Sequence, residues 1–550
     1  MRSLPLLLFV QLWILWLPAR SPAQASLPGR IIFTDHGVAA GRPRPAKALR
    51  QYTLTNTSNL FITARLARTL REDIRQLAPT LDIDSLTKGN FTKDAGYEFT
   101  LFVDNRLIYR SDIWTPTQAI SNPVTTLTEP LLDYLHPGES WGQWFWVRFA
   151  HNGGDSALKE GPHKLRLEIR SYLRQGTDTL HGPLLAAGDL PLLVRLNVTV
   201  DPAKIRLTPL QPYDGFGLSK DSYDSTRIKQ LKGLIEAGFF KQISSVVVIK
   251  NGNILIEEYF NGETRDTQHD PRSVGKSFAS TMMGMAIRDG YLRSEDEAIS
   301  AFYRLQSYAN YSPEKDSVKL KDLMTMCSAF DGDDDDGNSP GNEENMYDKE
   351  NWVKWTLDLP LSTTRPRDRW HYFTAGAMLM GDILNSNVRG GLEAYADLKL
   401  FSPLGIRDYQ WQYTPQHVVN TAGGIRLKAL DFAKYGQLYK NGGVWQGRQI
   451  LPAEWVRKTF SKYHPIPYGP DQYYGYFFWN KKYHARGQDY ETWYCTGNGG
   501  NKIFIFTDQP LVIVVTATAY GMPYAHPQVD KMMTEYILPA VVGGSANVGR

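Results

Sequence analysis

The chain has 550 residues, and domains usually run to about 100–200, so the length predicts two to four of them. Apolar (42%) and charged (21%) fractions are those of a globular protein, which excludes a disordered, collagen-like or coiled-coil chain. A formal charge of only +4, with no concentrated basic face, predicts no nucleic-acid partner.

Residues 1–25 read as a signal peptide. Arg2 opens the segment, the run from Leu4 to Leu17 is almost wholly apolar, and Ala23-Gln24-Ala25 supplies small residues for cleavage. The run is short for a bilayer span, so the expectation is a periplasmic or extracellular protein with no stable membrane insertion once the signal is removed. An N-terminal anchor helix is the alternative.

Residues 26–205 read as an accessory domain, all-β and sandwich-like. Lys164 to Arg170 alternates polar and apolar with period two. Phe99–Val103, Asp104-Asn105 and Leu107–Tyr109 predict a hairpin, and Trp144–Phe149 an aromatic strand. One helix is expected around Ala64–Gln76. Residues 206–224, with Pro209, Pro212 and Asp214-Gly215, form a linker.

From 225 to 540 the texture is α+β, followed by a tail at 541–550. Thr226–Ala237 predicts a helix with Ile228, Leu231, Leu234 and Ile235 on one face. Ser244–Lys250 and Ile254–Tyr259 flank Asn251-Gly252-Asn253 as a hairpin. An apolar helix follows Pro271 and stops at Gly290. Trp493–Cys495, Ile503–Phe506 and Leu511–Thr516 predict strands, and His526–Ile537 a last helix. Strands at both ends of the region predict one sheet that joins them.

Three segments carry chemistry. Ser273-Val274-Gly275-Lys276 places a hydroxyl and an amine three positions apart, on one face of a helix. Burial and the helix N-terminus both lower a lysine pKa, and a neutral amine can activate a serine. The spacing recurs at Ser85/Lys88, Ser156/Lys159 and Ser312/Lys315, so only context separates the Ser273 copy: it opens the most apolar helix of the chain. The alternative is a lysine that snorkels to the surface. Tyr372-Phe373-Thr374 offers a phenol that can relay a proton, or a buried structural tyrosine. Cys495-Thr496-Gly497-Asn498-Gly499-Gly500-Asn501 lets a substrate approach the backbone, where an N–H can join that of the serine as an oxyanion hole; a plain glycine-rich turn is the alternative.

In this order the three segments resemble the penicillin-recognising serine hydrolases. That group includes class C β-lactamases, D-alanyl-D-alanine carboxypeptidases, and related esterases and 6-aminohexanoate oligomer hydrolases. The likeness spans about residues 225–540. Lys321–Ser328 is similar to the family's L-L-T-x-x-S-G loop and Phe401–Ile406 to its F-x-P-L-G-M element. The resemblance implies a β-lactamase/transpeptidase-like catalytic domain. Ser273 is then the acylated nucleophile, Lys276 its base, Tyr372 the proton shuttle, and the N–H groups of Ser273 and Asn498 the oxyanion hole. Thr374, Gly497 and Gly499 line the substrate path, with Thr374 where many members have Asn. Cys495 stands where β-lactamases carry the lysine of K-T-G, which holds a substrate carboxylate. The 497–501 run is nearer the G-x-G-G-Q of the esterase and 6-aminohexanoate hydrolase branch.

The acidic run Asp331, Asp333–Asp336, with Glu343 and Glu344, reads as a solvated loop, a calcium ligand set or a wall of the cleft. His371 has no identifiable acid partner and reads as structural. Cys327 and Cys495, the two cysteines of the chain, could pair in an oxidising compartment. The sequence thus predicts an exported serine hydrolase acting on a small-molecule ester, amide or peptide-like substrate, with no metal and no organic cofactor. A D,D-carboxypeptidase or β-lactamase, and a catalytically silent binding protein, are the alternatives.

Overall fold

The computed structural model describes residues 29–36, 47–84, 94–112, 120, 123–134, 140–175, 178–364 and 366–542. The expected signal peptide, 1–25, and the end of the tail lie outside the described residues.

The N-terminal region contains β1 (Ile31–Thr34), β2 (Tyr52–Thr55), β3 (Leu60–Arg65), β4 (Ala95–Val103), β5 (Arg106–Asp112), β6 (Thr126–Leu132), β7 (Gly161–Gln175) and β8 (Asp178–Arg195). They form a sheet β2-β8-β7-β4-β5 and a smaller one, β1-β3-β6. Leu165, Leu167 and Ile169 on β7 point inward and share one core with Ile31, Leu60, Ile62 and Leu127 of the smaller sheet. The β4–β5 turn places Asp104 (φ 51°) and Asn105 (φ 67°) in the left-handed region, as a two-residue type I′ turn requires.

Two local expectations are corrected. Trp144–Phe149 is not a strand but part of a helix, Trp141–Phe149, whose start is capped by Ser140 accepting from the Gln143 N–H. Phe145, Trp146 and Phe149 fall on one buried face of that helix. Aromatic content suited either element, and the helical spacing decided. The helix expected over Ala64–Gln76 is confined to Leu70–Leu77, because Thr69 and Glu72 form a capping box that fixes its first turn. Residues 60–65 belong to β3 instead.

The second region opens with β9 (Gly217–Leu218), the helix Ser225–Glu236, β10 (Ile243–Lys250) and β11 (Asn253–Tyr259). Next come β12 (Gln268–His269), β13 (Gln410–Trp411) and β14 (Ile425–Lys428), which form a small sheet, and the short hairpin β15 (Val444–Trp445) and β16 (Arg448–Gln449). β17 (His464–Pro465), β18 (Tyr473–Tyr474), β19 (Trp479–Ala485), β20 (Gln488–Gly497), β21 (Asn501–Phe506) and β22 (Leu511–Ala517) complete the chain's strands. The main sheet runs β17-β18-β19-β20-β21-β22-β10-β11-β9, so its two ends in sequence do meet, at the antiparallel β22–β10 pair.

This sheet is buried on both faces, and period two divides its side chains. Val247, Ile249, Val512 and Val514 enter one core with the helices Gly275–Arg288, Thr374–Asn387 and Ala429–Lys440. Val246, Val248, Ile513 and Val515 enter another with Ser225–Glu236 and the C-terminal helix beginning at Ala525. Each fully buried Val, Leu or Ile contributes about 1.5–3 kcal/mol, which holds the three layers together. The two regions touch where Trp144 and Val147 pack on Ala519, Met522 and Ala525.

His269 on β12 is 6% exposed, and burial pushes its pKa down to about 4. The unfolded histidine binds its proton near pH 6.5, so His269 supports the fold above that pH and loses this contribution as pH falls towards 4. The loss is on the order of 3 kcal/mol. In urea unfolding at pH 7 and pH 4, the acid-induced fall in stability is expected to be smaller in His269→Gln. An equal fall in both proteins would remove His269 as its cause.

Candidate active site

Ser273 sits in a single 3-10 turn, Arg272–Val274, at the entrance to the helix Gly275–Arg288. The residue before it, Arg272, has φ 53°, a left-handed conformation that costs a non-glycine residue about 1–3 kcal/mol. The turn is held from outside. Asp270 accepts from the Arg272 N–H at 3.1 Å, and the guanidinium lies 4.3 Å from the Tyr520 ring centre. Tyr520 in turn donates its hydroxyl to the Asp270 carbonyl at 3.0 Å.

Lys276 is 1% exposed. Its Nζ lies 2.9 Å from Ser273 Oγ and donates to the Ala422 carbonyl at 2.8 Å. Burial lowers its pKa, with Glu343 and Asp334 pulling the other way. Tyr372 precedes the helix Thr374–Asn387, and its ring centre is 5.1 Å from Lys276 Nζ. Burial raises the phenol's pKa, and a hydrogen bond with Ser273 offsets part of that rise. The structure therefore brings Ser273, Lys276 and Tyr372 together. The amine is biased towards its neutral form and the phenol is held neutral.

The glycine-rich segment lies against the same turn. A Cβ at Gly497 would stand 1.9 Å from the Pro271 carbonyl oxygen and 2.9 Å from Ser273 N, so only glycine lets the end of β20 come this close. Beyond it, the Asn498 side chain accepts from the Gly521 N–H at 2.6 Å and its carbonyl accepts from Asn501 Nδ2 at 2.9 Å. Gly499 has φ 90° and packs beneath Tyr520, supporting the loop from behind. Gly497→Ala is expected to separate β20 from the Ser273 turn. A displacement of about 1 Å can cost a hundredfold in rate, and overpacking about 1–3 kcal/mol in stability. Steady-state kinetics with a thermal melt check this, and normal kinetics would show that the close approach is dispensable.

Ser273, Tyr372, Thr496, Gly497 and Asn498 line one cleft of about 580 Å³. Thr374 reaches it indirectly: it is 1% exposed, and its N–H donates to Asp334 at 2.7 Å. The acidic run is not simply a solvated loop. Asp334 is drawn in by the N–H groups of Thr374 and Glu343, the latter at 2.8 Å, and with Asp335 and Glu343 it forms a wall of the cleft. Burial, then the Glu343 charge, raises the Asp334 pKa. No metal-holding group of His, Cys, Asp and Glu occurs among the described residues. His371 is buried, with Nδ1 3.2 Å from the Arg369 carbonyl. Cys327 and Cys495 are both free and buried, and burial pushes both thiols up to about 12.

Sequence reasoning missed a further part of the cleft lining, Trp479, Lys481, Lys502 and Asp530, which come from β19, β21 and the C-terminal helix. No local spacing links them. The one signal was the β20–β21 hairpin, which sets Lys502 directly across from Thr496.

The arrangement of strands, helices and cleft is that of a β-lactamase/transpeptidase-like enzyme. The beta-lactamase family profile matches residues 239–530, more than half of the chain, and the protein belongs to that family of serine hydrolases. No curated protein matches the sequence. Among solved structures it is similar to a Bacillus anthracis protein provisionally named a 6-aminohexanoate-dimer hydrolase, at 19% identity over 60% of this chain and 87% of that one, with a TM-score of 0.47. A Bacteroides dorei protein provisionally named a beta-lactamase is 18% identical over 57% of this chain and 99% of its own, with a TM-score of 0.47. A penicillin-binding protein from Bacillus halodurans is 16% identical over 53% and 97%, with a TM-score of 0.42.

Proposed function

We propose that this hydrolase cleaves an ester or amide bond through an acyl-enzyme on Ser273. The observation that carries the reading is the 2.9 Å contact between Ser273 Oγ and an almost fully buried lysine amine. Neutral Lys276 takes the serine proton as Oγ bonds to the substrate carbonyl carbon. The N–H groups of Ser273 and Asn498 receive the oxyanion. When the C–O or C–N bond breaks, Tyr372 gives its proton to the leaving group and is reprotonated by the Lys276 ammonium. Water then attacks the acyl-enzyme, its proton returns along the same path, and the carboxylic acid leaves. These steps need no metal or organic cofactor.

Cys495, at the position of the carboxylate-holding lysine of β-lactamases, favours the ester or amide branch over penicillins and peptidoglycan stems. The test is a p-nitrophenyl acetate and butyrate series beside a chromogenic cephalosporin. The reading expects ester turnover with little or no cephalosporin turnover. The reverse profile would move the enzyme to the β-lactamase or carboxypeptidase branch, and no turnover of either by folded protein would favour a binding protein.

We also propose that residues 1–25 direct export, leaving the accessory domain at 26–205, the linker at 206–224 and the catalytic domain at 225–540. No helix among the described residues is long and apolar enough to cross a membrane. Intact mass of the secreted protein tests this, with Ser26 expected as its first residue; retention of Met1 would contradict it.

A further inference from the structure

Apart from the acidic run, the cleft is lined by two lysines and one carboxylate, Lys481, Lys502 and Asp530. Lys502 Nζ lies 2.7 Å from Asp530 Oδ1, and Lys481 Nζ 2.8 Å from Asp530 Oδ2. Tyr483 also donates to Oδ1, at 2.5 Å. The side chains of Lys502 and Lys481 are only 2% and 13% exposed. Two ammonium groups against one carboxylate leave a positive charge in excess at a site largely withdrawn from water, which is costly without a further anion. Burial and the Lys502 charge bring the Lys481 pKa down to about 8, so its amine still carries a proton at neutral pH when an anion is near. Both amines also lie over aromatic rings, Lys481 4.5 Å from the Tyr483 ring centre and Lys502 5.4 Å from that of Tyr494, which offsets part of this cost but supplies no second negative charge.

The placement relative to Ser273 is set by strand register. Lys502 on β21 pairs with Thr496 on β20, and both line the cleft. Directly opposed residues stand on the same face of a sheet with Cβ atoms about 4.5–5.5 Å apart. One residue on from Thr496, Gly497 touches the Ser273 turn. Asp335 and Glu343, which line the same cleft, repel an anion. The cleft is therefore electrically polarised about the serine, and the two walls fix which end of a charged substrate lies where.

We propose that Lys481 and Lys502 form an anion subsite that binds a carboxylate on the substrate, so that the enzyme prefers esters or amides with an acid group a few bonds from the scissile carbonyl. This rests on the serine-hydrolase reading above and narrows its substrate class. Because the two lysines stand on β19 and β21 and not at position 495, the carboxylate they hold is placed differently from the one that β-lactamases hold through the lysine of K-T-G. Each lysine donates one hydrogen bond to Asp530 and has N–H groups left for a second carboxylate.

The test compares the p-nitrophenyl monoester of glutaric acid with the p-nitrophenyl ester of monomethyl glutarate, which has the same acyl chain without the charge. The wild type is expected to favour the acid at least tenfold in kcat/KM, mainly through KM. In Lys502→Gln and in Lys481→Gln that ratio is expected to fall towards one. A wild-type ratio near one, or a ratio unmoved in both variants while their melting temperature drops, would reduce the pair to a structural clamp and overturn the proposal; Ser273-dependent turnover of the neutral ester would leave the hydrolase reading intact. A phosphonate-terminated ester preferred over the carboxylate would also overturn it, by assigning the subsite to phosphoryl groups. If neither ester is turned over, the hydrolase reading fails separately, and calorimetric titration with glutarate and glutaramide decides the subsite. Selective glutarate binding, weakened at least tenfold in Lys502→Gln, supports it; equal binding or none overturns it.

Discussion

Ser273→Ala is expected to reduce kcat by roughly a thousandfold or more while the protein stays folded. The variant removes the atom proposed to form the covalent bond, and the Tyr372 hydroxyl beside it is held as a neutral phenol by burial and is a poor replacement. The structural cost is small. Lys276 keeps its 2.8 Å hydrogen bond to the Ala422 carbonyl, and a single lost hydrogen bond costs about 1 kcal/mol. Kinetics with the best p-nitrophenyl ester, beside a thermal melt, check both halves. Undiminished turnover would mean that another residue carries the acyl group.

Lys276→Met is expected to cause a loss of similar size for a different reason. Methionine fills nearly the same volume in the buried channel but cannot take the serine proton. Stability should change little, because the buried amine that methionine replaces is itself costly there. Lys276→Arg should be no better, since a guanidinium does not deprotonate near neutral pH. In the wild type, kcat/KM should rise with pH as the Lys276 amine, its pKa lowered by burial, loses its proton. Full activity in Lys276→Arg would rule out the amine as the base.

The Ser273, Lys276 and Tyr372 set was legible because each lies in a short motif and the motifs follow a family order. The lysine spacing alone was not decisive. Lys315, three residues after Ser312, is just as buried, but its Nζ goes to the Leu357 carbonyl at 3.0 Å, a structural use of the same spacing. The sheet was legible because Asn251-Gly252 and the continuous β-branched runs Val246–Ile249 and Val512–Thr516 are local signals. The Trp144 helix was misread because aromatic residues suit both element types, and the helical spacing of Phe145, Trp146 and Phe149 behind the Ser140 cap decided between them.

The walls of the cleft were less legible: the acidic run was one reading among three, and the lysines were not seen at all. In a run of aspartates nothing marks Asp334 as the one that turns inward, since one of the two N–H groups that capture it belongs to Thr374, 40 residues away. Lys481, Lys502 and Asp530 come from separate elements whose meeting is a property of the folded sheet. Charge spread over three elements has no signature in one sequence.

The most direct test of the account is the intact mass of the mature protein after treatment with a fluorophosphonate probe, with Ser273→Ala treated in parallel and the adduct mapped by peptide fragmentation. The account predicts one adduct on the wild type, located at Ser273, and none on the variant. An adduct that persists in Ser273→Ala, or one mapped to another residue, would contradict it.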